Sequence, residues 1–392
     1  MQKKVGIVTH YYKSINYGGN LQAYALCNFL QTKGYDAEQI CFLTTAKKKE
    51  PFLMKMKRLR LWGFGKTVGN IYAKLKKRIF KKGEQADVAE TKIREAANQH
   101  QKARQQSFEC FNQSIIPHSE EVYYADTVGN SAQVYDIFVT GSDQVWNLNW
   151  YHPIYFLDFL PKGKTKISYA ASIAMDRLNV RHKRAFKSSL KDFKAISLRE
   201  QSAVKMIEHL VKIKPQCVLD PTLLLGREDW NKICKESKEE NYVFCYFLGN
   251  NTEERNIAEQ FARKNGLKII AILQPGEAPF GDLPLYDASP EEFLGCVKNA
   301  KYVFTDSFHA VVFSYIYQRQ YFVFNRSRDG RMSSRLVDVL DLFGASERFC
   351  MQEKETLAYV EGLSAIDYTR SNERFKEAQE RSVEFLLNSL EG

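Results

Sequence analysis

Tyr302-Val303-Phe304-Thr305-Asp306-Ser307-Phe308-His309-Ala310-Val311-Val312-Phe313-Ser314 reads as strand, tight turn and helix. A β-prone run stops at Thr305, the Thr305-Asp306-Ser307 oxygens suit capping, and apolar residues return at helical spacing from Ala310. A buried strand that ends where a helix begins leaves unpaired N–H groups facing the gap, and these attract anions. His309 falls in the first helical turn, where a bound anion would favour the protonated imidazole that a general acid requires. A histidine that merely caps a carbonyl is the plainer alternative. The position at the C-terminal end of a strand favours function, because open α/β sheets bind ligands at that edge.

The same alternation of strand and helix runs outward in both directions. Val5–Thr9, a helix over 21–33 and Glu38–Leu43 form a βαβ opening, and further strands are expected at 135–140, 167–171, 195–198, 242–248, 268–273 and 321–324. This pattern predicts an α/β chain built on parallel sheets. Residues 1–226 read as one Rossmann-like domain with a basic helical insertion at about 47–104, and 227–370 as a second. The segment 371–392 reads as an amphipathic helix packed back on the first domain.

Candidate site residues gather where strands end. Asn16, Gly18, Gly19 and Asn20 occupy a loop whose glycines permit close backbone approach and whose amides suit sugar hydroxyls, or which is simply a turn. Ser142 and Asp143 follow the strand at 135–140, and Asp143 could take a proton from an acceptor hydroxyl or cap a loop. Arg199 closes the strand at 195–198 and can offer a planar fork to a carboxylate or phosphate, or pair with a surface acid. Arg326, Arg328, Arg331 and Arg335 lie beyond the strand at 321–324, a cationic stretch able to hold a doubly charged donor.

Composition narrows the class. The 392 residues, 44% hydrophobic and 13% aromatic, describe a globular chain. Eight scattered cysteines without a CxxC pair argue against zinc and a disulfide framework, and for a reducing cytosol. The run after Met1-Gln2-Lys3-Lys4 is too short for a signal peptide's apolar region and reads as a first strand. The net charge of +11 is concentrated: residues 47–82 hold fourteen Lys and Arg against the single acid Glu50. Interleaved aromatics suit an interfacial helix on an anionic membrane, or else a solvated insertion. No base-reading motif accompanies the charge, so nucleic acid is not an expected partner.

Asn16-Tyr17-Gly18-Gly19-Asn20-Leu21-Gln22-Ala23, Gly141-Ser142-Asp143-Gln144-Val145-Trp146, Ser197-Leu198-Arg199-Glu200, Leu219-Asp220-Pro221-Thr222 and Thr305-Asp306-Ser307-Phe308-His309, taken in order, resemble the polysaccharide pyruvyltransferase family. Members are similar in fold to GT-B glycosyltransferases, two Rossmann-like halves facing across a cleft, and use phosphoenolpyruvate to place a pyruvate ketal on a sugar. The resemblance implies that Arg199 contacts the donor and His309 is the general acid. Ser307, Phe308, Arg331 and Arg335 are then expected on the donor side, and Asn16, Gly18, Gly19, Asn20 and Ser142 on the acceptor side. Asp143 is a candidate base. Relatives tend to carry an arginine two residues before the histidine, where this chain has Ser307, which leaves Arg331 or Arg335 to supply that charge.

The expected partners are phosphoenolpyruvate and a hexose-containing glycan, lipid-linked at the inner membrane face, in capsule or exopolysaccharide synthesis. No metal or other cofactor is expected. Two rivals are a GT-B glycosyltransferase using a nucleotide sugar, and a non-catalytic protein binding anionic polymers or membranes through 47–82.

Overall fold

The computed structural model describes residues 3–45, 88–150, 152–175, 177–249, 251–326, 334–370 and 372–391, together with Met56. The rest of the basic segment 47–82 lies outside the described residues, as does Arg331.

Fourteen strands are described: β1 Lys4–Val8, β2 Asp36–Gln39, β3 Phe42–Leu43, β4 Tyr123–Tyr124, β5 Ile137–Thr140, β6 Thr165–Ala171, β7 Ala195–Leu198, β8 Gln216–Cys217, β9 Tyr242–Tyr246, β10 Lys268–Ile272, β11 Leu283–Leu285, β12 Tyr302–Thr305, β13 Gln320–Phe324 and β14 Phe349–Cys350. They form two six-stranded sheets, ordered β2-β1-β5-β6-β7-β8 and β11-β10-β9-β12-β13-β14, while β3 and β4 pair apart. Every pairing is parallel. Central strands such as Tyr242–Tyr246 and Ile137–Thr140 are buried at every residue, as expected of parallel strands covered by helices on both faces. These are the two Rossmann-like sheets that the alternation predicted.

In each sheet the first strand of the unit sits between neighbours that follow it by different routes. β1 lies between β2 and β5, and β9 between β10 and β12. Such a reversal opens a crevice at the strands' C-terminal ends. Both crevices face the same interdomain space, because Gly18, Asp143, Leu248 and Ser307 line one pocket.

Several boundaries differ from the sequence reading, each for a local reason. The helix expected from Leu21 begins at Tyr17 and runs to Thr32, so Gly18 and Gly19 are helical rather than part of a loop. Asn16 caps it, its side chain accepting the Gly19 N–H at 2.9 Å. β11 is a short edge strand at the end of the stretch 274–284, whose Pro and Gly content reads as loop.

One hydrophobic core runs through both domains. At its centre Tyr17 stacks on Phe293 at 4.8 Å and donates its hydroxyl to Ala288 O at 2.6 Å. Arg104, on the returning Val88–Ser114 helix, lies 5.0 Å from the Tyr17 ring and donates to Leu273 O at 2.9 Å. Each fully buried aromatic of this kind contributes about 1.5–3 kcal/mol. The last helix, Glu373–Leu390, crosses to the first domain, where Ser382 Oγ accepts the Leu219 N–H at 2.9 Å and Gln379 donates to Leu223 O at 2.7 Å.

Candidate active site

β12 ends at Thr305 and the Phe308–Ile316 helix starts two residues after Asp306, with Ser307 at its N-cap. Of the three side chains expected to cap, Thr305 and Asp306 are used elsewhere. Thr305 Oγ1 donates to Tyr246 O at 2.6 Å and accepts the Ser307 N–H at 3.0 Å. Asp306 reaches sideways to accept the N–H groups of Leu248 and Gly249, both at 2.7 Å. Ser307 makes no side-chain cap, so the first turn is left open toward the pocket.

His309 projects from that turn into the domain boundary and is only 8% exposed. Its Nε2 lies 3.6 Å from Asp220 Oδ2 and has no hydrogen-bond partner. The opposite edge of the ring presses on the first domain: a Cβ added at Gly18 would come within 1.8 Å of His309 Nδ1. Glycine at 18 is therefore a steric requirement of the imidazole, a role distinct from touching a sugar.

Asp220 is the hub of the buried network. Its carboxylate accepts Arg199 Nη1 at 2.7 Å and Ser142 Oγ at 2.8 Å on Oδ2, and the Thr222 N–H at 3.0 Å and hydroxyl at 2.7 Å on Oδ1. Burial works to raise its pKa, but the nearby charges of His309 and Arg199, with the Arg199 hydrogen bond, outweigh it and hold the carboxyl well below the usual range. Arg199 stacks over the Phe308 ring at 4.6 Å and keeps Nη2 3.8 Å from Asp143 Oδ1. Its Nε and Nη2 carry no hydrogen bond.

Asp143 holds a left-handed backbone at φ 72°, with its carbonyl accepting the Val145 and Ser172 N–H groups at 2.7 and 2.9 Å. Burial pushes its carboxyl up, but Arg199, then His10, His309 and Arg335, pull it below the ordinary value. Arg335, at the start of the Ser334–Leu342 helix, feels the same crowding: burial and then Arg199 push it down to about 10.

The structure thus gathers His309, Ser307, Phe308, Arg335, Asp143, Asn16 and Gly18 around one pocket of about 70 Å³, and a groove of about 600 Å³ continues past Arg199 and Phe308 along β8. Other expected acceptor contacts are turned inward. Asn20 is fully buried and its amide donates to Ser14 O at 3.0 Å and Asn16 O at 2.8 Å. Ser142 is fully buried and bound to Asp220, and Gly19 packs under His10 O, 2.6 Å from where a Cβ would sit. These three shape the site from behind. Sequence reasoning missed Asp220 as a site residue; its Asp-Pro-Thr context, an Asx turn after a strand, was the available signal. Among the described residues no group of His, Cys, Asp and Glu could hold a metal ion, and no helix is long and apolar enough to cross a membrane.

A family model described as polysaccharide pyruvyl transferase matches residues 16–328. Among curated proteins none matches the chain. Of solved structures, UDP-GlcNAc 2-epimerase from Methanocaldococcus jannaschii is 11% identical with a TM-score of 0.48, covering 99% of this chain and 100% of its own. UDP-N-acetylglucosamine 2-epimerase from Rickettsia bellii is 10% identical with a TM-score of 0.45, covering 99% and 96%. An uncharacterised protein from Klebsiella pneumoniae is 16% identical with a TM-score of 0.36, covering 66% and 88%.

Proposed function

The chain belongs to the polysaccharide pyruvyl transferase family, and from that premise we propose that it moves the pyruvyl group of phosphoenolpyruvate onto a hexose of a surface polysaccharide or its lipid-linked precursor, closing a cyclic ketal and releasing phosphate. The observation that carries the reading is the placement of His309, at an open helix N-terminus, against Gly18 and 3.6 Å from Asp220. An anionic donor is held by helix N–H groups and cations, and an acid stands beside it.

His309 delivers a proton to the methylene carbon of the donor, which becomes a methyl group and leaves C2 electron-deficient. One sugar hydroxyl forms a C–O bond at C2 and gives up its proton. A second hydroxyl then forms the other C–O bond as phosphate departs with the electrons of its C–O bond, and the two hydroxyl protons balance the one delivered to carbon and the one carried by phosphate. Asp220 fixes the imidazole, and Arg199 and Arg335 supply positive charge. Asp143, with its lowered proton affinity, is a weak base, and we read it as a hydrogen-bond acceptor for the attacking hydroxyl. The basic stretch 47–82 fits a lipid-linked acceptor by drawing the enzyme to an anionic membrane face from the cytoplasmic side.

The test is acceptor-dependent phosphate release from phosphoenolpyruvate, with mass spectrometry of the glycan. His309→Ala should fold and lose turnover by at least ~100-fold, the low end for general acid catalysis. A folded His309→Ala enzyme with unchanged turnover would overturn the assignment.

A further inference from the structure

β1 and β5 are neighbours with Val8 opposite Thr140, and the chain leaves both at the C-terminal edge where the strand order reverses. His10 lies just beyond one strand end and Asp143 just beyond the other. The start of the Tyr17–Thr32 helix is wedged against both sheets' loops. Where a Cβ at Gly18 would strike His309, one at Gly19 would meet His10 O at 2.6 Å and Asp143 Oδ2 at 3.5 Å. Two histidines, one following a strand of each sheet, therefore flank one pair of adjacent glycines.

The His10 ring is half-buried and lies 4.2 Å from the Tyr155 ring, tilted at 45°, a contact that limits its rotation. Burial draws its proton affinity below the ordinary histidine value, against the charge of Asp143 and the Gln144 backbone, so the ring is neutral at neutral pH and able to accept a proton. Burial, then the Asp143 charge, pushes the Tyr155 phenol up and keeps it protonated. Asp143 and Tyr155 are thus the titratable side chains set against His10, and the helix packed beside it contributes Gly19, which carries no charge.

We propose that His10 is the base that takes the proton of the attacking sugar hydroxyl, with Asp143, which lines the pocket, holding that hydroxyl in place. The inference rests on the reading of the chain as a pyruvyltransferase with a hexose acceptor. A base works best when its proton affinity is near the operating pH, which suits an imidazole better than the carboxylate beside it. In the step the hydroxyl's O–H bond breaks and its electron pair forms the C–O bond at C2 of the donor, already protonated at the methylene carbon by His309. The proton passes to a His10 ring nitrogen and from there to solvent, and the second hydroxyl's proton leaves with phosphate. Acid and base then come from different sheets.

The experiment measures phosphate release from phosphoenolpyruvate by the full-length protein with methyl glucoside, methyl galactoside and methyl mannoside as acceptors, beside calorimetric titration with phosphoenolpyruvate. His10→Gln and His10→Ala should each lose kcat by at least ~100-fold and keep parent-like affinity for phosphoenolpyruvate, since His10 stands on the acceptor side. Added imidazole should restore part of the turnover of His10→Ala, which a purely structural role would not allow. The parent gives a measurement that needs no variant to fold: at saturating donor, kcat should fall as pH drops below the ordinary histidine range, because the protonated ring cannot accept a proton. Unchanged kcat in a folded His10→Gln, a loss carried wholly by weaker phosphoenolpyruvate binding, or a parent kcat that is flat between about pH 7 and 5 overturns the base and leaves pyruvyl transfer standing. If the parent releases no phosphate with any of these acceptors, the hexose reading falls and the base with it.

Discussion

The Asp220 side chain has no exposed surface, yet two cationic or potentially cationic groups and two hydroxyls converge on its carboxylate. An Asn at this position keeps the shape and loses the charge, so the effect separates orientation from electrostatics. Asp220→Asn should lower kcat by about 100-fold while leaving KM for phosphoenolpyruvate nearly unchanged, because an orienting group acts through the acid it holds. It should also cost about 3–5 kcal/mol in stability, since Arg199 is left as a buried charge with a weaker partner. The pH dependence follows from the sign of the shift. A carboxyl held below its unfolded value stabilises the fold above about pH 4 and loses that contribution as pH falls toward its folded value. Acid unfolding should therefore be steeper in the parent than in Asp220→Asn, as followed by circular dichroism between about pH 5 and 2; parallel curves would remove Asp220 from the balance. The network was barely legible beforehand, because Ser142 and Arg199 lie 78 and 21 positions away from Asp220. Only the chain's return to one strand edge makes them neighbours.

The helices show what periodicity captures and what it misses. Glu373–Leu390 and Pro290–Asn299 appear where apolar spacing puts them, whereas Tyr17–Thr32 begins four residues before its expected start. Glycines signal a loop by local propensity, and tertiary contact overrides that signal when His309 and His10 O leave no room for a Cβ. The Thr252–Lys264 helix holds a less visible feature. Glu254, in its first turn, has no exposed surface, and neither carboxyl oxygen completes a hydrogen bond with a described partner. Burial first, then the charge of Asp306, pushes it up to about 8. A carboxyl raised above its unfolded value binds its proton more tightly in the folded state, so the penalty grows as pH rises from about 4.5 and is complete above about 8. Glu254→Gln should be more stable than the parent at about pH 9, by a few kcal/mol, and close to it at about pH 5. Thermal melts at the two pH values check this, and an equal effect at both would show that ionisation is not the cause.

At the scale of the whole molecule, His309, the proposed acid, and the Asp220 carboxylate beside it follow strands of different sheets. His309 stands at the end of β12 and Asp220 follows β8, so closing the domain boundary assembles the site. Arg104 is the test of that dependence. It is 1% exposed, does not itself line the pocket, and ties the Val88–Ser114 helix to Leu273 O while lying over Tyr17. Removing it forfeits a charge-assisted hydrogen bond and the packing of its stem against two aromatic rings. Arg104→Ala should cost roughly 2–4 kcal/mol and broaden the calorimetric unfolding transition as the domains lose coupling. Because donor contacts span the boundary, KM for phosphoenolpyruvate should rise several-fold, with kcat falling less. A lower melting temperature with unchanged KM would mean that each domain holds its half of the site in register without the other, and the buried His309–Asp220 contact across the boundary would then follow the domain arrangement instead of helping to set it.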